Sequence, residues 1–203
     1  MTDKKAFVLL NGEQPKTLPD LTNYELVCAT DGAYEYFKNN KIKVDLVSGD
    51  FDSITAIPIE TETIHTPNQD LTDFDKMLQI LIDKSFTRVD VFGASGGEQD
   101  HFLGNLHTAI VFKNKIEITF FDNHQYYFLA KKLESVQVKK GSKVSIVPFP
   151  EAKNITTKGL QYSLTNEPLV FGKKIGTRNM AITDKIKIEF SSGELFIFIE
   201  KQT

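Results

Sequence analysis

Short apolar runs recur along the first 122 positions, at residues 6–10, 26–30, 44–48, 63–65, 88–92 and 116–121. Between them the spacing of apolar residues becomes helical, at 33–39, 72–85 and 100–112. The clearest helix is 72–85, where Phe74, Met77, Leu78, Leu81 and Ile82 fall on one face and Thr72 with Asp75 forms a variant capping box. Near-continuous apolar runs such as Val89-Asp90-Val91-Phe92 suit a mainly parallel sheet covered on both faces, whose ligands collect beyond the carboxyl ends of the strands. After residue 122 the helical period stops, and short alternating runs follow at 126–129, 136–138, 144–147, 182–190 and 195–199, the pattern of a small all-β domain. Lys139-Lys140-Gly141-Ser142 and Ser191-Ser192-Gly193-Glu194 have the composition of hairpin turns. The predicted fold class is α/β: a mainly parallel α/β sandwich domain over 1–123, then an all-β sandwich domain over 124–203. No Gly/Ser linker separates them, which predicts two domains packed together.

A length of 203 residues allows one large or two small domains, each with a core of its own. No apolar run approaches the roughly 20 residues needed to cross a bilayer, so a soluble protein with no membrane partner is expected. Residues 1–5 lead directly into a strand pattern without the longer apolar region of a secretory signal, and the expected location is the cytoplasm. The lone Cys28 cannot form an internal disulfide, and its apolar surroundings predict a small buried hydrophobe. With a net charge of -3 and scattered lysines there is no basic stripe for nucleic acid, although small anions can still bind locally.

The candidate chemistry lies in aspartates. Asp31-Gly32-Ala33, Gly49-Asp50-Phe51-Asp52-Ser53, Gln69-Asp70-Leu71-Thr72-Asp73 and Gln99-Asp100-His101 each stand where a strand pattern gives way to a turn or helix start. That layout gathers carboxylates along one sheet edge. Carboxylate oxygens suit Mg2+ or Ca2+, and Mg2+ is usually shared between one or two carboxylates and nucleotide phosphates. Gly49 is expected to permit a tight turn, letting Asp50 and Asp52 face one ion around an inward-packing Phe51. Thr72 at a helix start offers free N–H groups to phosphate, and Asp73 in the first turn can ligate a metal. Taken singly, these segments also read as helix caps; it is their accumulation after successive strands that points to a metal-dependent phosphate enzyme. Residues 93–101 form a glycine-rich strand-to-helix crossing, but neither a dinucleotide fingerprint nor a P-loop is present. His101 has no second histidine at zinc-ligand spacing, which leaves it to orient Asp100 or cap its helix.

These motifs, with Leu103-Gly104-Asn105, Lys158-Gly159-Leu160-Gln161-Tyr162-Ser163-Leu164 and Gly176-Thr177-Arg178-Asn179, taken in order, resemble those of the thiamine pyrophosphokinases. The resemblance implies transfer of a pyrophosphoryl group from ATP to the hydroxyl of thiamine with release of AMP, dependence on Mg2+, and a homodimer with its active site at the subunit interface. It implies Asp50, Asp52 and Asp73 as metal and phosphate acids, Asp31 and Asp100 as further acids of the nucleotide side, and Gln69 and Thr72 as contacts at the reacting end. Asp50, Asp73 and Asp100 form the implied catalytic set, with Asp73 or Asp100 accepting the hydroxyl proton. Thr177, Arg178 and Asn179 fall in the implied thiamine-side turn. The sequence departs from the family at Glu98, where arginine is common, at Arg178, where serine is common, and at Ala33, where its first motif has a second glycine. Rival readings from the same acids are a metal-dependent phosphoesterase and a non-catalytic thiamine or nucleotide sensor.

Overall fold

The expected alternation appears in the first half as six parallel strands: β1 (Lys5–Leu9), β2 (Leu26–Thr30), β3 (Leu46–Gly49), β4 (Glu62–His65), β5 (Arg88–Phe92) and β6 (Glu117–Phe121). The structure, a computed structural model, describes residues 4–52 and 60–201, and the chain divides into two compact units, Met1–Asn123 and His124–Thr203. Ser53 and Ile54 lie outside the described residues.

In the first unit the strands run in the order β4-β3-β2-β1-β5-β6, every pair parallel. Helices α1 (Asp31–Asn39), α2 (Asp73–Asp83) and α3 (Gln99–Phe112) follow β2, β4 and β5. The central strand explains its unbroken apolar run, since Ala6, Phe7, Val8 and Leu9 are all fully buried. Phe7 stacks on Phe92 and meets Phe37 of α1 edge-on. Phe74, Met77, Leu78 and Leu81 of α2 are buried at the predicted helical spacing, each contributing about 1.5–3 kcal/mol. The predicted capping box is present: Thr72 Oγ1 accepts the Asp75 N–H at 3.1 Å, and the Asp75 carboxylate accepts the Thr72 N–H at 3.1 Å. Cys28 is fully buried, and burial, more than nearby acids, pushes its thiol far above its ordinary pKa, as expected of an inert thiol.

The order of strands matters for function. From β1 the chain moves outward through β2, β3 and β4, then returns to the other side of β1 for β5 and β6. The β1/β5 neighbourhood is therefore the switch point of the sheet, where the loops diverge and leave a crevice. Backbone bonds from Leu10 to Phe92, Gly12 to Gly93 and Glu13 to Ser95, each 2.8 Å, zip the two loops together there.

The second unit is antiparallel. Strands β7 (Gln125–Leu129), β8 (Leu133–Gln137), β9 (Lys143–Lys158), β10 (Glu167–Val170), β11 (Gly176–Met180), β12 (Lys185–Glu189) and β13 (Ser192–Glu200) organise around β9. Its beginning pairs with β11 and β13, its middle with β10 and β13, and its end with β12. Ile146, Ile155, Ile186, Ile188, Leu195 and Ile197 are among the residues of the buried core. Two turn predictions fail here. Lys139 to Ser142 does turn, with Ser142 N–H bonded to the Lys139 carbonyl at 3.0 Å, but β8 pairs with β12 and not with β9, so this is no hairpin. Ser191 to Glu194 is no hairpin either, because β12 and β13 continue one after the other along the same antiparallel partner, β9. The left-handed Gly193 (φ 86°) serves a bulge against β9, where the register shifts and a Cβ would overlap the Glu151 carbonyl. Among the described residues no helix is long and apolar enough to cross a membrane.

Candidate active site

At the switch point lies a crevice of about 420 Å³. Its walls come from Leu10 to Gly12 after β1, Thr30 to Gly32 where β2 enters α1, Thr72 to Phe74 at the start of α2, and Gly93 to Asn105 across the start of α3. Three helix N-termini thus reach one crevice, bringing N–H groups that no carbonyl of their own helix accepts and positive dipole ends. Oxyanions such as phosphates are what such a concavity accommodates.

The aspartates divide into distinct settings. Asp31, only 8% exposed, accepts the Gly32 N–H at 2.7 Å and the Phe51 N–H at 3.0 Å, so its carboxylate braces the loop after β3. That loop contains a strained residue, Phe51 at φ 63°, a conformation costly for a bulky side chain. Gly49 is needed for a different reason than the predicted tight turn: a Cβ there would overlap the Asp31 carboxylate. Asp50 accepts the Asp52 N–H at 3.2 Å and the Gln69 amide at 3.4 Å. The Asp52 N–H first, then Gln69, Asp31 and the charge of Lys76, against some desolvation, hold the Asp50 carboxyl below its ordinary pKa, so it stays ionised further into acid. The Asp52 side chain is exposed.

Asp73 lies in the first turn of α2 and receives Lys76 Nζ on Oδ1 at 3.0 Å. Thr72 gives its hydroxyl hydrogen to Asp75 at 2.7 Å, and Thr108 of α3 donates to the other Asp75 oxygen at 2.8 Å, tying the start of α2 to the C-terminal half of α3. Asp100 lies exposed in the first turn of α3 and accepts the His101 N–H at 3.0 Å. Glu98, Asp100 and His101 present ligand atoms within 4.8 Å of one another; among the described residues they are the only trio of acids, histidines or cysteines that does. Asp50, Asp52 and Asp73 do not close to that spacing. Asp31, Thr72, Asp73 and Asp100 line the crevice, whereas Asp50, Asp52 and Gln69 lie outside its lining.

Thr177, Arg178 and Asn179 belong to the second unit, on strand β11 and not on the predicted turn. The strand bulges there, with Arg178 at φ 56° and its N–H bonded to Ser145 Oγ at 2.9 Å. The exposed Arg178 charge acts on Glu200, whose carboxyl is lowered first by Lys143 and last by Arg178. Thr177 is exposed. Asn179 is buried, and its amide grips the backbone of Tyr162 from both sides, accepting its N–H at 3.0 Å and donating to its carbonyl at 2.7 Å. The Tyr162 side chain is left 68% exposed on a fixed backbone.

Sequence reasoning passed over two features. One is Lys76, buried beside Asp73; its signal was an acid–base pair spaced i,i+3 at the start of a strong helix. The other is Asn11-Gly12, a turn dipeptide directly after the central strand, whose Gly12 leaves room for the Gly93 carbonyl.

Comparison with known proteins adds independent findings. Residues 20–120 match the family model described as thiamin pyrophosphokinase, catalytic domain, and residues 131–195 match thiamin pyrophosphokinase, vitamin B1 binding domain. The chain is 29% identical to thiamine pyrophosphokinase 1 of Arabidopsis thaliana, covering 98% of this chain and 87% of that protein. It is 27% identical to thiamine pyrophosphokinase of Bacillus subtilis, covering 95% and 97%. Among solved structures, thiamin pyrophosphokinase family protein from Enterococcus faecalis superposes with a TM-score of 0.86 at 20% identity, over 98% of this chain and 100% of that one, which establishes likeness of fold.

Proposed function

The chain belongs to the thiamin pyrophosphokinase family, and from that premise we propose that it transfers the pyrophosphoryl group of ATP to the hydroxyl of thiamine, giving thiamine diphosphate and AMP. The observation that carries this reading is the crevice at the sheet's switch point, where three helix starts and four of the predicted site residues, Asp31, Thr72, Asp73 and Asp100, form the walls. In the reaction the thiamine oxygen forms a bond to the β-phosphorus, the bond from that phosphorus to the α–β bridging oxygen breaks, and AMP departs with the electron pair. The hydroxyl proton passes to a carboxylate. We assign that role to Asp100, exposed at the crevice wall, and leave Asp73, held on Oδ1 by Lys76, to the metal. The N–H groups opening α1, α2 and α3 are assigned to phosphate oxygens, with Gln69 orienting Asp50 and Asp31 holding the loop that carries Asp50 and Asp52.

The donor set fits a hard divalent cation: carboxylate oxygens of the half-buried Asp50 and the exposed Asp52 and Asp73, with no soft ligand among them. We assign these three to Mg2+, which when bound supplies screening of phosphate charge and stabilisation of the leaving oxygen. The arrangement is read as an N-terminal α/β sandwich, the catalytic ATP and metal domain, followed by a β-sandwich domain for thiamine. We further propose a cytoplasmic homodimer with the active site at the subunit interface, since the phosphate-side and thiamine-side residues lie on different units of one chain.

The test is AMP formation from ATP and Mg2+ with and without thiamine. Thiamine-dependent AMP in equal amount to thiamine diphosphate is expected; phosphate release with no acceptor would indicate a phosphoesterase instead. On the thiamine side, the exposed Tyr162 ring, carried on a fixed backbone, offers an electron-rich face to a flat cation. Tyr162→Ala is expected to raise the thiamine KM about tenfold with little change in kcat, as loss of one cation–π contact predicts. Steady-state kinetics at saturating ATP would measure it, and an unchanged KM would remove Tyr162 from the site.

A further inference from the structure

The buried lysine of α2 is the feature that the acids alone do not explain. Lys76 is only 8% exposed, a placement costly for an ammonium without partners. It has two: Nζ donates to the Thr66 carbonyl at 2.9 Å and to Asp73 Oδ1 at 3.0 Å. Thr66 is itself tied by its N–H to the Gly49 carbonyl at 2.9 Å, immediately before Asp50. The ammonium is thus anchored to the backbone that leads into one proposed metal acid while gripping another. It cannot swing out of the acid cluster without giving up the Thr66 carbonyl.

Resting on the function proposed above, we infer that Lys76 is a positioning residue that makes Asp73 a one-oxygen ligand and suppresses binding of free divalent metal until a nucleotide arrives. The first part follows from geometry, because Oδ1 is occupied by Lys76 and Oδ2 is the oxygen left to offer. The second follows from charge. One fixed cation paired with Asp73, whose charge also reaches Asp50, offsets part of the negative charge offered to a metal and weakens its attraction for a bare dication. A metal that enters with nucleotide phosphates brings its own anionic oxygens, which the same ammonium attracts. Metal occupancy is thereby coupled to nucleotide occupancy.

The experiment uses the full chain without nucleotide, titrated with MnCl2 in a calorimeter. Lys76→Met is expected to bind Mn2+ about tenfold more tightly than wild type, and to turn over at least about 30-fold more slowly with an almost unchanged thiamine KM. Lys76→Arg, which keeps the charge, should stay within about threefold of the wild-type Mn2+ affinity. A folded Lys76→Met with wild-type or weaker Mn2+ affinity would overturn the inference, as would undiminished kcat. Should Lys76→Met fail to fold by circular dichroism, Lys76→Gln retains a donor for Thr66 without the charge and carries the same expectation. If the wild type makes no thiamine-dependent AMP, the proposed function fails, while the calorimetric comparison still decides the role of Lys76.

Discussion

Asp50→Asn is expected to lower kcat at least about 10³-fold while leaving the melting temperature within a few degrees of wild type. The amide has the shape of the carboxylate and its oxygen can still accept the Asp52 N–H, so the loop after β3 has little reason to move. What disappears is a full negative charge that its surroundings favour, led by the Asp52 N–H. If the loss is one of metal and phosphate handling, the thiamine KM should change little, and raising Mg2+ tenfold should restore only part of the rate. Near-normal turnover by the folded variant at ordinary Mg2+ would refute the assignment of Asp50. The side chain is partly exposed at the surface, and no stability change of consequence is expected from its charge alone.

The acids were legible in the sequence because their signal is local: an apolar run ends and a carboxylate follows. The same holds for the helix 72–85, whose buried face and capping box were both written in the order of residues. Harder to read were features that depend on what another segment does. The strand β9 extends for 16 residues, but Pro148 and Pro150 break the alternation, so only 144–147 resembled a strand. The glycine of Ser191-Ser192-Gly193 is a turn residue by composition, yet it is used for a bulge because β9 is long enough to accept β12 and β13 in succession. In the site, the burial of Lys76 is invisible until Thr66 and Asp73 are placed around it. Asn179 stood in the right neighbourhood by motif, but its contribution is a grip on Tyr162 that only tertiary structure reveals.

Gly49→Ala tests how far the site depends on such remote geometry. A single methyl group at this position would overlap the Asp31 carboxylate. That carboxylate cannot simply rotate away, because it holds the N–H groups of Gly32 and Phe51 at the same time. Displacing it releases Phe51 from a left-handed conformation that persists only while its surroundings enforce it. Asp50 and Asp52 flank Phe51, so relaxation of this one residue redirects both. Overpacking of this kind is expected to cost about 1–3 kcal/mol, or roughly 3–10 °C in melting temperature for a chain of this size. The larger effect should fall on catalysis, with kcat reduced about 10²-fold by misplacement of two acids. Adding Asp31→Gly removes the overlap but also the brace, so the double variant should recover part of the melting temperature and little of the activity. If Gly49→Ala retained both wild-type stability and wild-type kcat, the Asp31 carboxylate would not be holding the loop, and the path from β2 through Asp31 to Asp50 would have to be abandoned.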